Sequence, residues 1–183
     1  MKKRTTRLVI TALTFFTMGF TALAQWNGND VFSKIDNTSE YGTFELAHMD
    51  RDISTFINLV ALSGLEPSLL MADEHTVFIP TNEAFKAMQI DEFLHLTNPE
   101  NKMDLIKFVK YHFLPNKVMK YDFKDSQVID VEGANDITVS VDEPYDTTYI
   151  GGARIIKDDI ETSNGIIHIV DRVIMPSDIA LNE

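Results

Sequence analysis

The chain has 183 residues, with 28 acidic and 16 basic side chains, a formal net charge of −12 and no cysteine. This length suits one domain with a substantial core. The acidic balance argues against nucleic acid, whose phosphates are bound by clustered Lys and Arg. The lack of cysteine excludes disulfides, thiolate zinc centres, thiol nucleophiles and a lipid-modified cysteine.

Four positive charges, Lys2, Lys3, Arg4 and Arg7, precede an uncharged apolar stretch from Leu8 to Leu23 that closes on Ala22-Leu23-Ala24. A basic start, an apolar middle and small residues at the exit form a secretory signal peptide over residues 1–24, with cleavage predicted between Ala24 and Gln25. A membrane anchor fits less well, because the run is short and interrupted by Thr11, Thr14, Thr17 and Thr21. Removal takes away four bases and no acid, which moves the net charge from −12 to −16. No second apolar span follows, so the exported protein is expected to be soluble, with no transmembrane segment.

Residues 25–40 are polar and broken by Gly28, Asn29 and Asn37, and are predicted to be an arm that docks through Trp26, Val31, Phe32 or Ile35. Helical periodicity begins near Asp52, a candidate N-cap. It places Ile53, Phe56, Ile57, Val60 and Ala61 on one stripe, and Gly64 ends it. Glu66 to Met71 reads as a further helical turn. Thr76 to Ile79 is a short β-prone run ending at Pro80, after which Thr81 can cap a helix with Glu83 in its first turn. A second long helix starts from Asn98 as cap and Pro99 at the first helical position, with Leu105, Ile106 and Val109 on one face.

From Tyr111 onward the pattern is that of strands. Ile137, Val139 and Val141 alternate with polar residues, and Gly133 to Asp136 should link this strand to Val128–Val131 as a hairpin. Gly151-Gly152 and Ser163-Asn164-Gly165 are turn signals. Ile166 to Met175 is apolar on both alternating faces, as a central strand covered on both sides would be. Helices followed by strands give an α+β class, not alternating βαβ units.

Three segments now stand out together. Thr76 to Phe85 (TVFIPTNEAF) resembles the first signature box of fasciclin-like domains, and Asn164 to Pro176 (NGIIHIVDRVIMP) resembles the second. Between them, Tyr111-His112 followed by Phe113-Leu114-Pro115 is similar to the family's Tyr-His motif. The resemblance spans residues 41–178, leaving 179–183 as a polar tail. It implies a fasciclin-like wedge or sandwich of β-strands with N-terminal helices packed on it, in proteins that are secreted or surface-attached and associated with adhesion. The chain departs from the family in carrying Ile79 where Ala is common, and Asn116 where Gly is common. Asn substitutes best for Gly in a left-handed turn.

On this resemblance Tyr111 and His112 are the candidate partner-binding residues, although an aromatic pair at a domain edge can serve both roles and the structural one is favoured. Thr76, Phe78, Pro80, Thr81, Asn82, Phe85, Asn164, Gly165, His168 and Asp171 are the motif residues expected to be structural. His168 and His112 both lie in apolar β-prone runs, where a histidine is usually buried, neutral and satisfied by backbone. Asp171 in the same apolar run needs a partner, from Arg154, Arg172 or a backbone N–H.

Catalytic and metal chemistry finds little support. The histidines at 48, 75, 95, 112 and 168 are scattered, with no His-Glu-x-x-His, no Gly-x-Ser-x-Gly elbow and no phosphate-cradling glycine loop. The acidic groups Asp122-Asp125, Asp142-Glu143 and Asp158-Asp159-Glu161 lack an EF-hand's spacing and read as solvated loops with at most weak cation binding. Asn101 to Ile106 loosely resembles integrin-contacting segments of animal family members, and no Arg-Gly-Asp occurs. The expected function is a non-enzymatic, exported adhesion module that binds a protein or polysaccharide at the cell surface or in the matrix, without cofactor or metal. Two rival readings are an envelope carrier for a small ligand or lipid, which needs an apolar cavity, and a hydrolase built from distant carboxylates.

Overall fold

The computed structural model describes residues 31–72, 74–131 and 136–179. The signal peptide, the Ala24/Gln25 junction, Trp26 and most of the Gly133–Asp136 turn lie outside these residues.

Six helices are formed within them: α1 (Thr43–Ala47), α2 (Ser54–Ser63), α3 (Glu66–Leu70), α4 (Asn82–Ala87), α5 (Ile90–Thr97) and α6 (Lys102–Lys110). The strands are β1 (His75–Pro80), β2 (Phe113–Leu114), β3 (Val128–Ile129), β4 (Ile137–Asp142), β5 (Thr147–Ile150), β6 (Ala153–Glu161) and β7 (Gly165–Val170). They form one seven-stranded sheet in the order β2-β1-β7-β6-β5-β4-β3. β1 and β7 run parallel in register from His75↔Gly165 to Pro80↔Val170, and the other neighbours are antiparallel. This is the α+β wedge expected from the sequence.

Strand alternation divides the interior in two. Along β1, Val77 and Ile79 face the helices and join Phe44, Phe56, Leu59, Val60, Phe108 and Val109 in one cluster. Phe78 points the other way, into a second cluster with Tyr111, Leu114, Phe123, Val139 and Ile150. β7 alternates in step, with Ile167 and Ile169 on the helical side and Val170 on the other. Every residue of β1 and β7 is buried, which makes these two the covered centre of the sheet. Ile79 is fully buried in the helical cluster, so its extra volume is filled rather than exposed.

Local signals held at most helix ends. Gly64 adopts φ 77° as the C-cap of α2, and the Thr81 side chain accepts from Ala84 N at α4. Asp50, not Asp52, caps the chain entering α2, by accepting from Asp52 N ahead of a 3-10 turn. Asn98 and Pro99 open a 3-10 turn, and α6 proper begins at Lys102. The helices α1 and α5 carried no reading in the sequence. The hairpin of β3 and β4 pairs Val128 with Thr138 and Ile129 with Ile137, as expected.

Three expectations need correction. β7 ends at Val170 rather than Met175, because its parallel neighbour β1 leaves the sheet at Pro80 and Thr81 N takes the Val170 carbonyl. The 31–40 arm docks through Phe32, which is buried in the helical cluster with Lys157 Nζ 5.2 Å from its ring centroid, and Ile179, read as part of the polar tail, is buried there too. The folded unit is therefore wider than residues 41–178. Finally, Asn116 does not adopt a left-handed conformation; among the described non-glycine residues those with positive φ are Ser126, Asp146 and Asp159.

Candidate functional site

The three motif segments converge on the β1–β7 pair, and each polar motif residue braces a neighbouring element. Thr76 Oγ1 donates to the Asn116 carbonyl (2.7 Å) and accepts from Val118 N (2.8 Å), which pins the loop after β2 to β1. Asn82, at the start of α4, accepts from Thr55 N (2.8 Å) and donates to the Arg51 carbonyl (2.7 Å). It thus caps α2 from another helix, satisfying an amide that α2 itself leaves unpaired. Phe85 packs edge-on against Phe93 and Phe108.

Asn164 does for α1 what Asn82 does for α2. Its Oδ1 accepts from Thr43 N (2.9 Å) and from Thr43 Oγ1 (3.0 Å). Gly165 must be glycine because the space is taken: a Cβ there would sit 2.7 Å from the His75 carbonyl oxygen and 2.8 Å from Thr43 Oγ1. Asp171 accepts from Arg154 N (2.8 Å) and Arg154 Nε (3.2 Å), the partner that its apolar surroundings demanded.

His168 and His112 are fully buried and do different work. His168 stacks on Phe78 with 5.6 Å between centroids. Its Nε2–H donates to the Val118 carbonyl (2.9 Å), and its Nδ1 accepts from Asp159 N (3.2 Å). Those contacts set a neutral tautomer. Burial lowers its pKa, partly opposed by the Val118 bond and by Asp159 and Asp158. His112 donates from Nδ1 to the Phe108 carbonyl (2.9 Å), while its own carbonyl accepts from Phe78 N (2.9 Å). Its Nε2 meets no hydrogen-bond partner and is walled by the Phe56 and Phe108 rings, at 4.9 and 4.6 Å. Burial drives its pKa down to about 4.

Tyr111 and His112 were the candidate contact residues, with a structural role as the favoured alternative, and the structure places them inside. Tyr111 is 5% exposed and His112 0%. The reason is topological: α6 ends at Lys110 and the chain must enter β2 at once, so the two residues between are drawn into the core. The Tyr111 hydroxyl donates to the Asp136 carbonyl (3.2 Å), and burial with nearby Asp136 and Asp178 raises its pKa. Together they hook the end of α6 onto β1. Of the Asn101–Ile106 segment, Leu105 is buried and Met103 is exposed.

Among the described residues no group of three or more His, Asp or Glu is placed to hold a metal ion, and no helix is long and apolar enough to cross a membrane. What sequence reading missed is the role of the two asparagines. Each caps a helix that is far away in the chain, and only the approach of the two helices reveals it.

A bracing network of this kind, wound around a parallel β1–β7 pair inside a curled antiparallel sheet, defines the class of fold. Residues 51–176 match the Fasciclin domain family. The chain belongs to that family. It is 31% identical to Protein sll1483 of Synechocystis over 96% of this chain and 99% of that protein. Human periostin is 28% identical over 81% of this chain, which spans only 18% of periostin. A Plasmodium falciparum protein named Heme ligase is 26% identical over 71% of this chain. Among solved structures, a fasciclin domain pair from the insect cell adhesion molecule Fasciclin I superposes with a TM-score of 0.67 at 14% identity, covering 78% of this chain and 53% of the other. That likeness shows the fold.

Proposed function

We propose that the protein is an exported, non-enzymatic interaction module that contacts a protein or polysaccharide at the cell surface or in the surrounding matrix. The observation that carries this reading is the use of the motif residues. Thr76, Asn82, Asn164, His112, His168 and Asp171 are each engaged in bracing backbone or a neighbouring side chain, which supports a structural rather than a catalytic use of the motifs. The structurally similar insect molecule is a cell adhesion molecule. A wedge with two buried apolar clusters suits such a role, because it presents loops at fixed positions without the cost of ordering them on binding.

Tyr111 and His112 then act by holding α6 to the sheet, and the contact itself runs through exposed side chains. Labelled full-length protein incubated with cells of the producing organism should bind saturably and be displaced by unlabelled protein. Absence of saturable binding at micromolar concentration, with the protein shown to be folded, would remove the adhesion reading.

A further inference from the structure

Far from the helices, three loops are tied together at one end of the sheet. Lys120 Nζ pairs with Asp146 Oδ2 at 3.0 Å, joining the 119–126 loop to the β4–β5 turn. Lys120 N donates to Asp159 Oδ1 at 2.7 Å, joining the same loop to the bulge in β6, and Val141 N donates to Asp125 Oδ1 at 3.1 Å. Each half of the Lys120–Asp146 pair has an exposed tyrosine beside it in the chain: Tyr121 is 78% exposed and Tyr145 79%. Neither ring packs against the core, and the loops that carry them are held by four independent bonds if the Met119 N–Asp122 Oδ2 contact (3.1 Å) is included.

The charge of this end is one-sided. Within residues 119–126, 142–146 and 158–159 there are seven carboxylates against two lysines, and one of those lysines is already neutralised by Asp146. Two exposed phenol rings on tethered loops, in a field of carboxylates, have a definite complement. A cation is attracted to the ring face, and guanidinium adds planar stacking and bidentate bonding to carboxylate. Polyanions are repelled, and a neutral ligand would have no use for the excess of acid. Tyr and Arg are also the residues that most often anchor protein contacts.

We infer that Tyr121 and Tyr145, with Asp122 and Glu143 beside them, form a docking site for an arginine-rich segment of a partner protein. This rests on the interaction-module reading and names the partner chemistry for it.

The test uses the full chain with a fluorescent nona-arginine peptide at physiological salt, read by anisotropy. Wild type should bind, and the double substitution Tyr121→Ala/Tyr145→Ala, which leaves the charge untouched, should weaken binding about tenfold. Asp122→Asn/Glu143→Gln should weaken it several-fold, and Asp91→Asn/Glu92→Gln on α5, which removes the same charge elsewhere, should change it less than about twofold. Unchanged affinity in the tyrosine variant, or equal losses in the two charge variants, would show diffuse attraction to an acidic protein and overturn the site. Tyrosine-dependent binding of cellohexaose with none of nona-arginine would replace the arginine-rich partner with a glycan. If the tyrosine variant still displaces wild type from cells undiminished, the module reading stands and this site falls alone. The Asp122 carboxylate bonds only within its own exposed loop, to Met119 N, where Asn can accept the same bond, so a melting curve matching wild type is expected for each variant and checks that folding is intact.

Discussion

At the scale of single residues, the two fully buried histidines, His112 and His168, make the fold acid-sensitive. The folded His112 holds its pKa near 4, against the ordinary 6.5. Between those values the unfolded chain takes up a proton that the folded chain refuses. The stability contribution is therefore complete above pH 6.5 and lost as pH falls toward 4, by about 3 kcal/mol over the window. His168 is lowered in the same sense and adds to the slope. Urea unfolding at pH 7, 5.5 and 4.5 should show the decline, and His112→Phe should flatten it. A slope as steep in the variant as in wild type would exclude His112 as its source. A second residue-scale prediction concerns the cap supplied across helices: Asn82→Ala should cost about 1–2 kcal/mol, because Thr55 N and the Arg51 carbonyl both lose their partner. Chemical denaturation of the variant measures it.

The elements depend on each other at a few crowded crossings. The turn from β6 into β7 passes so close to His75 and Thr43 that Gly165→Ala should cost about 1–3 kcal/mol, through displacement of backbone rather than of a flexible side chain. A melting temperature equal to that of wild type would show that the turn can open at no cost. α6 meets α2 and α4 through Phe108, which is fully buried against Phe56, Phe85 and His112. Phe108→Ala should cost about 3–5 kcal/mol and leave the hook at Tyr111–His112 unsupported. Thermal unfolding followed by far-ultraviolet circular dichroism would report it. Periodicity made α2 and α6 legible, since their apolar stripes repeat at three and four residues. α1 and α5 were not: α1 spans five residues and takes its cap from Asn164, 121 positions away, and α5 leaves Ile90 and Leu94 exposed, which blurs its stripe.

For the molecule as a whole, the family match begins at residue 51 but the core does not. Phe32, Phe44, Leu46 and Ala47 all precede that point and lie buried in the helical cluster. A chain starting at residue 51 is expected to be unfolded or to melt far below the full chain, since it leaves a cavity the size of several large side chains. A cooperative transition close to that of the full chain would contradict this. The acidic surplus sets a further whole-molecule trait, self-repulsion, which salt should relieve.

Much of this architecture was written locally. The signature segments, the Gly64 stop, the Thr81 cap, the β3–β4 pairing and the doubly covered centre of the sheet follow from side-chain period, turn chemistry and capping, which act within a few residues. Exposure did not follow. The Tyr-His pair read more readily as structural than as surface, but its place was open, because its burial is decided by where α6 is forced to end against β1. Asn82 and Asn164 read as ordinary turn residues until distant helix ends came within 3 Å of them. The tyrosines at 121 and 145 gave no signal at all in the sequence. They are 24 positions apart, and it is the Lys120–Asp146 bond across two loops that brings them to one end of the fold. Local propensity is a property of neighbours in the chain, whereas burial and juxtaposition belong to neighbours in space.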